Sequence, residues 1–203
     1  MTLVVKICGL STRATLDAAL EGGADMVGLV FFPASPRHVE LDSARELARA
    51  AAPQAEVVAL TVDADDAQLG AIIAAVSPQL LQLHGHETPQ RVAAIKQRFG
   101  LPVMKALPIA TAADLAVLPD YAAVADRLLF DARPPKDATR PGGLGACFDW
   151  TLLQGIELAV PYMVSGGLSP ANVAEALRIS RATGVDVSSG VESAPGVKDP
   201  ALI

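Results

Sequence analysis

Aromatic side chains are scarce in this chain of 203 residues, at 4%, and so are histidines, of which there are 3. The first shortage removes the stacking platforms that single-stranded nucleic acid needs. A formal net charge of -6 leaves no broad basic face for a phosphate backbone, so no nucleic-acid partner is expected. Two cysteines, Cys8 and Cys147, supply neither a disulfide framework nor a paired metal motif. His, Asp, Glu and Cys nowhere group with metal-ligand spacing, and no metal is expected. Long apolar runs are missing too. Hydrophobic residues make up 51% of the chain and mean hydropathy is +0.38, yet no run reaches the roughly 18 residues of a membrane helix. Much of the apolar content is alanine, which reads as small helix-packing residues in a soluble protein with no membrane partner. The N-terminus enters strand-like sequence without a basic leader or cleavage site, and a cytoplasmic location is the expectation. An anionic small ligand stays open, because a local cluster of donors overcomes a global charge.

What is present is regular alternation. Apolar, β-branched segments near 3–8, 26–31, 57–62, 80–84, 103–107, 127–131, 162–165 and 185–188 read as strands. Ala/Leu-rich segments near 12–22, 42–52, 65–76, 88–99, 111–118, 149–155 and 170–182 read as helices. Thr88-Pro89 and Ser169-Pro170 carry the cap-then-proline signal of a helix start, and Asp149-Trp150 reads as a third entry. Eight strands separated by helices in about 200 residues predict an α/β fold, a single-domain (β/α)8 barrel over residues 1–203. An open doubly wound sheet is the rival, but Cys8-Gly9-Leu10-Ser11 is not the glycine-rich dinucleotide turn. The last five residues fall where an eighth helix should start, so the final helix is expected to be short or missing. The stretch from Ala132 to Phe148, with Pro134-Pro135, Gly142-Gly143 and Gly145, reads as a cover over one end.

Strand alternation sorts the candidate chemistry. Lys6 and Cys8 share a face of strand 1, Gln82 and His84 of strand 4, and Asp186 and Ser188 of strand 8. Cys8, His84 and Asp131 fall at carboxyl ends of strands, where barrels keep their catalytic groups. Cys8 suits a base or nucleophile if its thiol titrates somewhat below its ordinary range, with an inert buried thiol as the bland alternative. Asp131 suits a general acid, or a mere turn cap. Lys6 and Asp186 are neighbours only if the barrel closes, and are expected to pair beneath the site with the ammonium favouring a Cys8 thiolate. Arg37, in a proline-stiffened loop, could clamp a carboxylate bidentately or simply lie in solvent. His84 could bond ligand or satisfy a strand end. Gly166, Gly167, Ser189 and Gly190 follow the last two strands, where barrels hold phosphate on backbone N–H groups.

The runs Lys6-Ile7-Cys8-Gly9-Leu10, Ser35-Pro36-Arg37, Gln82-Leu83-His84-Gly85, Leu128-Leu129-Phe130-Asp131, Phe148-Asp149-Trp150, Ser165-Gly166-Gly167-Leu168 and Val185 to Glu192 together resemble the phosphoribosylanthranilate isomerase family. Pro195-Gly196-Val197-Lys198-Asp199 also fits the family pattern, so the resemblance runs from Lys6 to Asp199. It implies a (β/α)8 barrel that acts on a small phosphorylated substrate without metal or organic cofactor. Asp131 would then be the general acid and Cys8 the general base, with Arg37 on the anthranilate carboxylate. His84 would be a substrate-binding residue, and Gly166, Gly167, Ser189 and Gly190 would hold the phosphate. Leu144 departs from the small Ser or Thr of the family pattern, His86 stands where an acid is common, and Cys147 takes no role. Rival readings are a pentose-phosphate epimerase, an indole-glycerol-phosphate synthase using Lys105, or a non-catalytic phosphate-binding barrel. The epimerase wants metal-binding His and Asp at strand ends, and the chain has only 3 His. The synthase leaves Cys8 and Asp131 without a role, and the binding barrel has no need of Cys8, Asp131 and Arg37 together. Oligomeric state is not written in the sequence.

Overall fold

The computed structural model describes residues 3–134, 138, 140–145 and 147–203. Eight parallel strands close into one barrel: β1 (Val4–Cys8), β2 (Met26–Phe31), β3 (Glu56–Thr61), β4 (Leu80–Leu83), β5 (Val103–Ile109), β6 (Arg127–Ala132), β7 (Tyr162–Val164) and β8 (Gly184–Val187). Closure is made by β1 on β8, with Lys6 opposite Asp186 and Ile7 opposite Val187. The strands are near-continuous Val, Leu, Ile and Ala because both faces are buried, one inside the barrel and one under the helices.

The helices are α1 (Arg13–Glu21), α2 (Leu41–Ala51), α3 (Asp66–Val76), α4 (Pro89–Phe99), α5 (Leu118–Ala122) and α6 (Val173–Ser180). Their apolar faces form a continuous layer with the outward strand residues Ile7, Leu83, Leu128, Phe130 and Val164. Thr88 caps α4 by accepting from the Arg91 N–H at 3.2 Å, with Pro89 in its first turn, as the sequence indicates. Local chemistry overrides the expectation elsewhere. The 111–118 segment is a 3₁₀ helix, Ala112–Val117, that runs into α5, and the 149–155 segment is a single 3₁₀ turn, Trp150–Leu153. Helix α6 starts three residues after Pro170, because Asn172 turns its side chain back. Its Oδ1 accepts from the Ser169 N–H at 2.8 Å and its Nδ2 donates to the Gly167 carbonyl at 2.9 Å. That bracket fixes the turn after β7.

No helix follows β8 in the described chain. A 3₁₀ turn, Ser189–Val191, leads into a small hairpin of β9 (Glu192–Ala194) and β10 (Val197–Lys198). Inside the barrel, Met26, Val58, Leu80, Met104, Ala106, Leu129 and Met163 fill the amino-terminal and middle layers. Cys8, Val30 and Leu60 form an upper layer on the β1–β3 side, facing Phe32 and Val62. The mouth at the carboxyl ends is therefore greasy on one wall only.

Candidate active site

The opposite wall, with His84, Asp131 and Ser165, is polar. Cys8, Arg37, His84 and Asp131 line one cleft of about 490 Å³ together with Ser165, Asp186 and Ser188. Asp131 also borders an adjoining hollow of about 390 Å³ with Gly166, Gly167 and Ser189. Gly190 lies in an outer pocket with Gly167 and Ser189; its Cα packs so tightly on the Leu168 carbonyl that no side chain fits. Its glycine is thus needed for packing between the two turns, which holds the hollow's rim in place.

Cys8 ends β1 inside the barrel and is 4% exposed. Burial pushes its thiol up, Lys6 pulls it down, Asp186 pushes it up again, and the balance is a raised pKa. The sequence-based idea of a thiol titrating below its ordinary range is corrected: desolvation outweighs the ammonium. The expected ion pair is present, with Lys6 Nζ 2.8 Å from Asp186 Oδ1. Burial pushes the Lys6 ammonium down, but Asp186 and Cys8 outweigh it and its pKa ends above the ordinary value.

Asp131 is held by a backbone N–H and an imidazole. Its Oδ1 accepts from the Ala132 N–H at 2.9 Å and its Oδ2 lies 3.1 Å from His84 Nε2. His84 Nδ1 in turn lies 3.1 Å from Gln82 Nε2. His84 therefore touches the acid as well as lining the cleft.

Arg37 is no solvated loop residue. It is 4% exposed, and its Nε and Nη2 donate to Glu192 Oε1 and Oε2, each at 2.7 Å. Glu192 Oε1 also accepts from Lys198 Nζ at 2.6 Å, and Lys198 donates to the Ser188 carbonyl at 3.0 Å. Burial pushes the Glu192 carboxyl up, yet the hydrogen bonds from Arg37 and Lys198 bring it below its ordinary range. The hairpin after β8 thus builds the seat of Arg37. Over it passes the cover. The Gly143 carbonyl accepts from Arg37 Nη2 at 3.1 Å, and a Cβ on Gly142 would come within 2.6 Å of Asp131 Oδ2. Glycine is required there because backbone lies directly on the acid. Leu144 is 39% exposed and borders the hollow, and Cys147 Sγ donates to the Gly167 carbonyl at 3.4 Å. Pro135 and Ala146 of the cover lie outside the described residues.

Sequence reasoning missed the apolar wall of Val30, Phe32, Leu60 and Val62, as well as Glu192, Lys198 and Ser165. Alternation on β2 and β3 could have signalled the wall. Nothing local links Arg37 to a glutamate 155 positions away. Lys105, the lysine of the synthase reading, is outside the site. It lies in the strand–helix layer, where its Nζ bonds Glu87 Oε2 at 2.9 Å and the Gly85 carbonyl at 2.7 Å. Among the described residues no group of three or more His, Cys, Asp and Glu could hold a metal ion.

A closed parallel barrel with its reactive side chains at the carboxyl ends of the strands is the architecture of a (β/α)8 enzyme. The comparisons with known proteins narrow the class. The family model for N-(5'phosphoribosyl)anthranilate (PRA) isomerase matches residues 5–203. An N-(5'-phosphoribosyl)anthranilate isomerase of Rhodopseudomonas palustris strain BisA53 is 76% identical, over 100% of this chain and 93% of that protein. One of Bradyrhizobium diazoefficiens is 70% identical, over 100% and 91%. Phosphoribosyl anthranilate isomerase from Thermotoga maritima superposes with a TM-score of 0.88 at 33% identity, over 99% of this chain and 95% of that one. A phosphoribosyl anthranilate isomerase solved with reduced 1-(o-carboxyphenylamino)-1-deoxyribulose 5-phosphate superposes at 0.84 with 30% identity, over 99% and 94%. The chain belongs to the N-(5'-phosphoribosyl)anthranilate isomerase family.

Proposed function

We propose that this chain converts N-(5'-phosphoribosyl)anthranilate to 1-(2-carboxyphenylamino)-1-deoxyribulose 5-phosphate, an Amadori rearrangement of tryptophan biosynthesis, with Asp131 as general acid and Cys8 as general base. Asp131 gives its proton to the furanose ring oxygen, the C1′–O bond breaks, and the nitrogen lone pair forms the C1′=N iminium. Cys8 as thiolate takes the C2′ proton, and the electron pair left behind neutralises the iminium as an enolamine. Tautomerisation puts a proton on C1′ and leaves the C2′ ketone. The rearrangement is intramolecular, the net oxidation level is unchanged and each step needs only a proton given or taken, so the side chains named here suffice.

The reading rests on one observation: a thiol and a carboxyl face the same cleft, beside a glycine-lined hollow. Val30, Phe32, Leu60 and Val62 suit the aryl ring, Arg37 its carboxylate, and Gly166, Gly167 and Ser189 the phosphate. His84 orients Asp131 and contacts substrate at the edge of the cleft. Cys8 has to remain a free thiol, which accords with a reducing, cytoplasmic location.

The test is the fluorescence decay of freshly made phosphoribosylanthranilate. Wild type is expected to accelerate it, and folded Cys8→Ala and Asp131→Asn to fall by on the order of 10²–10⁴. No acceleration by folded wild type would remove the reading in favour of a barrel that only binds phosphate.

A further inference from the structure

Two charges buried in the barrel take no part in those proton transfers. Lys6 on β1 is 0% exposed and donates to Asp186 on β8 at 2.8 Å, just above the apolar layer of Met26, Val58, Met104, Leu129 and Met163. Removing such ions from water costs several kcal/mol each, and apolar residues of the same volume often serve stability as well or better. The pair is therefore poorly explained by stability alone, and its position beside Cys8 supplies a use.

Lys6 and Cys8 leave the same face of one strand, two residues apart. Across from them β2 carries Gly28, paired with Cys8 in register. A Cβ on Gly28 would come 2.8 Å from Cys8 Sγ and 2.9 Å from Lys6 Nζ. One empty point thus touches both the sulfur and the ammonium, and any side chain there would wedge between them and β2. The charged groups acting on Cys8 are Lys6 from its own strand, Asp186 from β8 and Lys198 from the hairpin. Val30 and Leu60 make the rest of its surroundings apolar, which strengthens every charge effect on the sulfur.

We propose that Lys6, tethered by Asp186 and given room by Gly28, is a positioning residue that sets the ionisation of the Cys8 thiol. The ammonium stabilises the thiolate, and the carboxylate holds that effect in check. In this balance the thiol is harder to ionise than a free cysteine, which protects it from oxidation and alkylation. The proposal deepens the acid–base reading and rests on it for the use to which the thiolate is put.

The experiment follows Cys8 itself rather than turnover, in a Cys147→Ser background that removes the exposed second thiol. Alkylation by iodoacetamide is measured against pH, together with the ultraviolet absorbance of the thiolate. Lys6→Met is expected to slow alkylation at neutral pH by about tenfold or more, since an opposite charge at close range is lost. Asp186→Asn, close to isosteric, is expected to speed it, because the thiolate becomes the nearest anion to the ammonium. Opposite signs from two members of one ion pair are what a merely structural pair would not produce. If Lys6→Met fails to fold, Asp186→Asn decides alone. Unchanged or slower alkylation in Asp186→Asn, or unchanged alkylation in folded Lys6→Met, overturns the proposal. Failure of the acid–base reading would look different: undiminished turnover by Cys8→Ala.

Discussion

The thiol wall and the acid wall of the barrel mouth solve two different problems. Around Cys8 the neighbours are apolar or fully charged: Val30 and Leu60 on one side, Lys6, Asp186 and Lys198 on the other. Around Asp131 they are polar, with no Lys or Arg bonded to it: the Ala132 N–H, His84 and, behind it, Gln82. Taking a proton from carbon needs a strong base in a dry place, and a buried cation is what makes an anion tolerable there. Giving a proton to a ring oxygen needs a carboxyl whose conjugate base is accepted without a salt bridge that would lock it as an anion. On the proposed division of labour, the walls differ because the two protons differ.

The comparison breaks most visibly at its ends. Loss of the thiol in Cys8→Ala or of the acid in Asp131→Asn is expected to cost on the order of 10²–10⁴ in kcat with fold retained, checked by turnover and circular dichroism. Glu192→Gln comes next. It leaves Arg37 and Lys198 buried without their shared anion, a loss of about 3 kcal/mol of stability, seen as a fall in Tm of about 6–12 °C. Because the Glu192 carboxyl is depressed in the fold, its contribution is present above the unfolded carboxylate pKa and lost as pH falls through the folded one. The Tm difference between wild type and Glu192→Gln should therefore shrink in acid.

Smaller effects sharpen the contrast. His84→Ala removes one charge-assisted hydrogen bond from Asp131, and kcat should drop on the order of tenfold to a hundredfold. Its effect on Cys8 alkylation should be small, since His84 is not among the groups that act on the thiol. On the thiol wall the Lys6 pKa is raised, so the stability of its pair is fully present below the unfolded value of 10.5 and is lost as pH rises through the folded value. Denaturant titrations should show that alkaline loss in wild type and not in a Lys6→Met, Asp186→Leu double variant.

Much of this was legible in sequence for a physical reason. A parallel strand buried on both faces must be written as an apolar, β-branched run, and all eight strands were found within a residue or two at most of their ends. Helix α4 was equally clear, because Thr88-Pro89 acts locally. The start of α6 was not, since Asn172 bonds backward to Gly167 and competes with the proline signal. The hairpin β9–β10 was invisible because its strands are too short for a period. Cys8, Asp131, Arg37, His84 and the glycine turns could be named from type and place at strand ends or in the loops that follow. What surrounds them could not. The Arg37–Glu192 clamp, the vacancy at Gly28 and the apolar wall are long-range facts that only closure of the barrel brings together.

The central claim, that Cys8 handles the carbon-bound proton and Asp131 the oxygen-bound one, is tested most directly with substrate deuterated at C2′. In Cys8→Ser, where a weaker base remains, deprotonation becomes limiting and the isotope effect on kcat should rise above that of wild type. In Asp131→Asn, where ring opening becomes limiting, it should fall towards unity. Equal isotope effects in the two variants, or the reverse order, would contradict the division of labour between the walls.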